Sequence, residues 1–256
     1  MRHIFSPAGR AALRGVAQPA ALLAFDYDGT LAPQVANPAH ARLAPAMHRR
    51  LARLGRLSPR VAILSGRALA DLMPRLGGLR LAAIVGNHGA EWRIGDREDR
   101  KARGQSALRR SREEIAALDS SVARALEDKG LTYIVHLGRL SAGVRRAVLA
   151  ALGRQPAIRT FGDALTMNVA PIGAPNKGDA LRRLERELHP STVLFVGDDL
   201  TDEDAFGARL HVPFLGIRVG RGRPSAAHAC LESQGEVSGL LDELLRYLDP
   251  RQASDR

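Results

Sequence analysis

The chain reads as an α/β protein: a Rossmann-like parallel sheet flanked by helices and interrupted midway by an inserted α+β module. Three observations predict this. Short apolar runs end abruptly in loops rich in Asp, Ser, His or Gly, as buried parallel strands do at their carboxyl ends. Helical periodicities separate most of those runs, the alternation that builds a parallel sheet. Between residues 92 and 171 the pattern changes to helices with neighbouring short strands, so the core is expected at 1–91 and 172–256, with the insert between.

The first run, Ala21 to Phe25, breaks into Asp26-Tyr27-Asp28-Gly29-Thr30. A helix follows over about Leu43 to Leu57, with Leu43, Met47, Leu51 and Leu54 on one face. Val61 to Leu64 is a second strand, ending in Ser65-Gly66-Arg67, and Leu81 to Val85 is a third, ending in Gly86-Asn87-His88-Gly89-Ala90-Glu91. The stretch from Ile94 to Gly104 is strongly charged. One helix is predicted from Leu108 to Asp128, with Ile115, Leu118, Val122 and Leu126 on its apolar face. Leu131–Leu137 reads as a strand, Ala142–Leu152 as a basic helix, and Ile158–Phe161 with Leu165–Val169 as strands joined at Gly162-Asp163. Pro171, Gly173 and Pro175 mark the return to the core, where Thr192 to Val196 runs into Gly197-Asp198-Asp199. The last six residues read as a frayed tail.

The 256 residues contain 45% hydrophobic and 25% charged side chains, globular proportions that exclude wholesale disorder. A single cysteine, Cys230, cannot form an internal disulfide. No apolar run approaches the ~20 residues of a membrane span, and the apolar stretch near the N-terminus is too short for a secretory signal. A cytoplasmic monomer with no membrane partner is therefore expected. Lys and Arg outnumber Asp and Glu by 38 to 27, a net charge of +11. That balance would attract polyanions, but the 10 aromatic residues and the lack of zinc-finger or RNP patterns argue against a specific nucleic-acid partner.

Chemistry concentrates at the strand ends. Asp26 and Asp28 can reach one reaction centre if the chain turns between them, and Gly29 permits a close backbone approach; an ordinary Asp-Gly turn is the competing reading. Ser65 offers a hydroxyl and Lys177 a compact positive charge. From Asp198 to Asp204 there are five acids in seven residues. Carboxylates so crowded repel unless a cation or proton intervenes, and Mg²⁺, a hard ion with oxygen ligands, suits them. An acid-rich helix N-terminus would also explain the run.

Taken in order, Asp26-x-Asp28-Gly29-Thr30, Ser65, Lys177 and Gly197-Asp198-x-x-x-Asp202 resemble the four motifs of the haloacid dehalogenase-like (HAD) phosphatases. Within that superfamily the chain is most similar to the trehalose-6-phosphate phosphatases. Ser65-Gly66-Arg67, Gly86 to Glu91, Glu127-Asp128-Lys129-Gly130 with His136, and Asp198 to Phe206 carry this closer likeness. Leu137-Gly138 and Met167-Asn168 depart from the family pattern, and both lie in or beside the insert.

The resemblance implies a HAD core with a substrate-selecting cap and a phosphorylated disaccharide as substrate. Asp26 would be the nucleophile, Asp28 the general acid and base, and Ser65 and Lys177 the phosphoryl-oxygen partners. It implies a Mg²⁺ site made by Asp26, Asp28 through its backbone carbonyl, Asp198 and Asp202. Sugar recognition would fall to Arg67, Asn87, His88 and Glu91 in the core and to Glu127, Lys129 and His136 in the insert. Two alternatives stay open: the same machinery acting on another sugar phosphate, as phosphatase or mutase, and a noncatalytic binder of polyanions.

Overall fold

The computed structural model describes residues 1–35, 38–95, 97–100, 104–221 and 224–249, so the tail at 251–256 lies outside the described residues. The elements run β1 (Arg2–His3), α1 (Pro7–Val16), β2 (Leu22–Phe25), α2 (Pro45–Leu57), β3 (Val61–Leu64), α3 (Leu69–Arg75), β4 (Ala83–Gly86), β5 (Glu91–Ile94) and β6 (Arg97–Arg100). There follow α4 (Gln105–Ala116), α5 (Ser120–Ala125), β7 (Leu126–Asp128), β8 (Tyr133–Val135), α6 (Ala142–Gly153), β9 (Ile158–Gly162) and β10 (Met167–Pro171). The chain closes with α7 (Lys177–Leu188), β11 (Val193–Gly197), α8 (Glu203–Phe206), β12 (Phe214–Val219), β13 (Ala229–Leu231) and α9 (Val237–Leu248). Among the described residues no helix is long and apolar enough to cross a membrane.

Two compact units emerge, residues 1–98 with 176 onward, and residues 99–175. In the first, strands lie in the order β1-β13-β12-β11-β2-β3-β4-β5-β6. Every pairing from β1 to β4 is parallel, and β5 returns antiparallel on β4. The strands are buried on both faces, which is why they read as unbroken apolar runs. Leu23, Phe25 and Ile63 pack on one side with Leu13, Leu51, Leu54 and Leu244; Leu22, Ala24, Leu64 and Phe195 pack on the other with Leu181 and Leu184. Successive strand residues thus feed opposite layers, as the two-residue period requires. The chain moves from β2 to β3 and β4 on one side, then returns to β11 on the other. That reversal at β2 opens a crevice beyond the strands' carboxyl ends, where α/β sheets hold their ligands.

The sequence places the first edge of the insert at 91/92 and the second at 171/172, whereas the units divide at 98/99 and 175/176. Residues 91–94 stay with the core because they pair with 83–86, and Trp92 is buried there, its indole N–H donating to the Gly89 carbonyl at 2.6 Å. At the far edge of the first unit, β1 pairs with β13, and Cys230 is buried on β13 with its thiol 3.6 Å from the Arg2 carbonyl.

In the second unit the strands lie in the order β7-β8-β10-β9, all antiparallel. The single helix predicted over 108–128 is instead α4, α5 and a strand. Asp119 accepts the Ser121 amide at 2.8 Å and starts a new helix, and Leu126 to Asp128 pair with β8. Leu118, expected on the apolar face, is 42% exposed. Residues 165–166 belong to the turn before β10, where Asp163 accepts both their amides at 2.8 Å. The buried hydroxyls of Ser111 on α4 and Tyr133 on β8 share a hydrogen bond of 2.7 Å.

Candidate active site

Asp26 is the first residue beyond β2, and its amide donates to Val196 on β11 at 2.8 Å, so the loop leaves the sheet pinned to the neighbouring strand. The next residues turn sharply: the Leu31 and Ala32 amides both donate to the Tyr27 carbonyl, at 3.0 and 2.8 Å. Gly29 sits at φ +75°, and a Cβ there would lie 2.1 Å from Asp198 Oδ2. Only glycine brings this loop against the Asp198 carboxylate. Thr30 completes the junction, its hydroxyl donating to Asp198 Oδ1 at 3.1 Å.

Lys177 opens α7 behind a capping box, with Asn176 accepting the Asp179 amide at 2.8 Å and Asp179 accepting that of Asn176 at 3.1 Å. Its ammonium is buried and donates to Asp26 Oδ1 at 2.8 Å and to Asp202 Oδ1 at 2.6 Å. Asp202 Oδ2 accepts the Asp198 and Asp199 amides at 2.8 and 3.0 Å. Asp199 Oδ1 in turn accepts the Thr201 amide and hydroxyl at 2.8 and 2.7 Å, and the Asp202 amide at 3.1 Å. The acid run therefore forms a tight loop in which the carboxylates brace the backbone.

Carboxylate oxygens of Asp26, Asp198 and Asp202 lie within 4.8 Å of one another. Burial, reinforced by Asp202, Asp198 and Asp199 and opposed by Lys177, raises Asp26 well above the ordinary carboxylate range. Burial, with Asp199 adding to it, pushes Asp198 up to about 6, and burial pushes Asp202 up to about 8. Lys177 is held protonated against its own burial by Asp202 and Asp26. One ammonium among clustered acids leaves an excess of negative oxygen donors, the donor set a hard divalent cation requires. Asp202 is the least available ligand, since both its oxygens already accept hydrogen bonds.

Ser65 caps β3, buried, its hydroxyl accepting the Arg67 amide at 3.1 Å. This loop is zipped to the one after β4: the Asn87 amide donates to the Arg67 carbonyl at 2.7 Å and that of His88 to the Ser65 carbonyl at 3.0 Å. Asn87 and His88 take φ of +46° and +56° to do so, an uncommon conformation for residues with a Cβ. The His88 ring lies over Gly66, where a Cβ would stand 2.5 Å from Cε1.

Four residues expected around the sugar on the core side do come together, but two have other partners. Glu91 is buried and accepts the Leu69 amide at 2.6 Å, tying down the start of α3. Arg67 grips Asp28 with two nitrogens, both at 2.6 Å. In the second unit, Glu127, Lys129 and His136 form a cluster. His136 Nε2 lies 2.9 Å from Glu127 Oε2, and Lys129 Nζ lies 3.9 Å from Glu127 Oε1. Glu127, Ile134, Asn168 and Phe161 stand in register across all four strands, so Asn168 shares a sheet face with Glu127.

Sequence reasoning quoted Thr30 and Asp199 within their motifs without giving either a role, and left out Asp71. Thr30 lay inside the quoted motif, and Asp71 stands four residues after Arg67 in the spacing of helical ion pairs, so both carried a legible signal. Asp199 is held below the ordinary range despite burial, chiefly by Lys177 and the Thr201 hydroxyl, a situation no local pattern announces.

Residues 24–220 match the sequence profile of a family described as trehalose-phosphatase. The trehalose-phosphate phosphatase of Mycolicibacterium paratuberculosis (strain ATCC BAA-968 / K-10) is 31% identical over 247 residues, covering 88% of this chain and 62% of that protein. The chain thus spans less than two thirds of that relative's length. Among solved structures, the C-terminal domain of C. albicans trehalose-6-phosphate phosphatase superposes with a TM-score of 0.75 at 21% identity, covering 92% of this chain and 96% of that one. A phosphatase of the HAD superfamily from Bacteroides thetaiotaomicron superposes with a TM-score of 0.66 at 16% identity, covering 91% and 97%. These last two likenesses bear on the fold, which is the HAD fold expected from the motifs.

Proposed function

Because the chain belongs to the trehalose-phosphatase family, we propose that it hydrolyses trehalose 6-phosphate to trehalose and phosphate through an aspartyl phosphate on Asp26. The observation that carries this reading is the position of Lys177. Its nitrogen joins Asp26 to Asp202, residues from three distant segments, in one buried centre at the end of β2.

A phosphate monoester is a dianion, and a carboxylate approaching it is repelled. Lys177 offsets part of that repulsion and holds the Asp26 carboxylate in one orientation for in-line attack. Ser65 supplies a hydrogen bond to a phosphoryl oxygen. Asp28 delivers a proton to the sugar oxygen as it leaves, then takes one from the water that releases phosphate. Asp26, the Asp28 carbonyl and Asp198 would hold a Mg²⁺ ion, which supplies charge neutralisation at the phosphoryl group when bound. Glu127, Lys129 and His136 are assigned to the sugar, since paired carboxylate and cationic groups recognise vicinal hydroxyls.

Initial rates of phosphate release from trehalose 6-phosphate, sucrose 6-phosphate and glucose 6-phosphate, with and without Mg²⁺, test the assignment. Turnover of the first alone, dependent on the metal and lost in Asp26→Asn, is expected. Undiminished turnover by that variant rejects the nucleophile. A preference for another sugar phosphate rejects the substrate and keeps the chemistry.

A further inference from the structure

Every nitrogen of the Arg67 side chain is committed within the first unit. Nε and Nη2 donate to the two oxygens of Asp28, both at 2.6 Å, and Nη1 donates to Asp71 Oδ2 at 2.7 Å. The guanidinium lies 5.5 Å from the centroid of the Tyr27 ring, and the side chain is only 7% exposed. Burial works against its charge, but the pairs with Asp28 and Asp71 outweigh that and hold it protonated. Asp71 is itself fixed: Arg75 donates to its Oδ1 at 2.8 and 3.2 Å and ties the pair to the Ala39 and Ala41 carbonyls at 3.2 and 2.7 Å. A planar fork braced in this way fixes both the place and the plane of the carboxyl it meets. Three of the five guanidinium N–H groups are thus spent on carboxylates of the first unit.

We propose that Arg67 is a positioning residue for Asp28, braced by Asp71 and Arg75, and not a sugar ligand. The inference rests on the phosphatase reading above. In the first transfer an Asp26 oxygen bonds to phosphorus while the bond from phosphorus to the sugar oxygen breaks. The electron pair leaves on that oxygen, and the proton of Asp28 moves onto it. One arm of the fork opens on the oxygen that carries the proton and closes again as the proton departs. Arg67 thus meets negative charge where it develops, and this lowers the barrier only when a proton must be given.

Leaving groups expose the difference. A sugar alkoxide leaves poorly without a proton, whereas 2,4-dinitrophenolate leaves unprotonated. First-turnover release of alcohol is therefore measured for trehalose 6-phosphate and for 2,4-dinitrophenyl phosphate in the wild type, Arg67→Ala and Asp71→Asn, with Mg²⁺ present. Arg67→Ala should slow the sugar ester by about 100-fold, the lower end of what a positioned acid contributes, and the aryl ester by no more than about 3-fold. Added guanidinium should restore part of the sugar-ester rate. Asp71→Asn should show the same selectivity with a smaller loss, and it decides the matter if Arg67→Ala does not fold. Equal losses on both esters in a folded variant overturn the proposal, as does a raised KM for the sugar ester with kcat unchanged. If the wild type releases dinitrophenol but no trehalose, the substrate assignment has failed instead, and the comparison moves to whichever sugar phosphate is turned over.

Discussion

Lys177 is a single cation fully enclosed between two carboxylates, and its removal leaves Asp26 and Asp202 buried without a counter-charge. Breaking such a pair from one side costs about 3–5 kcal/mol. Lys177→Met should therefore lower the unfolding free energy by about that amount, and millimolar Mg²⁺ should recover part of the loss by binding only the folded form. Urea titrations with and without the metal check both statements. At this scale the charged groups that meet in this centre were legible as motifs: Asp28 and Asp198 stand beside glycine in loops that follow strands, and Lys177 stands beside glycine where a helix begins. The distant partners, Asp28 for Arg67 and the Leu69 amide for Glu91, were not. Asp28 lies 39 residues from Arg67 and the Leu69 amide 22 from Glu91, so no local pattern distinguishes a carboxylate that braces a loop from one that awaits a ligand.

Strands β2, β3, β4 and β11 were legible as apolar runs because both faces of the sheet are covered there, while the elements of the second unit were misread where burial is one-sided. The apolar spacing of Ile115, Leu118, Val122 and Leu126 imitates one helix, yet Asp119 caps a fresh start and Leu126 turns into β7. The tie between α4 and β8 gives this unit a measurable pH signature. Burial pushes the Tyr133 phenol up to about 12, opposed by the Ser111 hydrogen bond. The folded value exceeds the unfolded one of roughly 10, so folding favours the neutral phenol. Its contribution is complete below pH 10 and disappears as the pH climbs toward 12, about 3 kcal/mol in all at two pH units of separation. Urea midpoints of Tyr133→Phe and wild type should converge across that interval; a constant gap would refute the assignment.

Across the molecule, the sheet order places β11, β2, β3 and β4 side by side, so four loops far apart in sequence meet at one rim. That arrangement could be anticipated from strand–helix alternation and the rule that ligands collect where strand order reverses. The outer edge could not, because β1 and β13 have only two and three residues and carry too little periodicity to read. Such short pairings are expected to open more readily than the centre of the sheet. Cys230, shielded beneath this margin, makes the opening a chemical stopwatch. Its labelling by a thiol reagent should outrun whole-chain unfolding and respond only weakly to low urea, whereas a rate that tracks complete unfolding would mean the margin yields only when everything does.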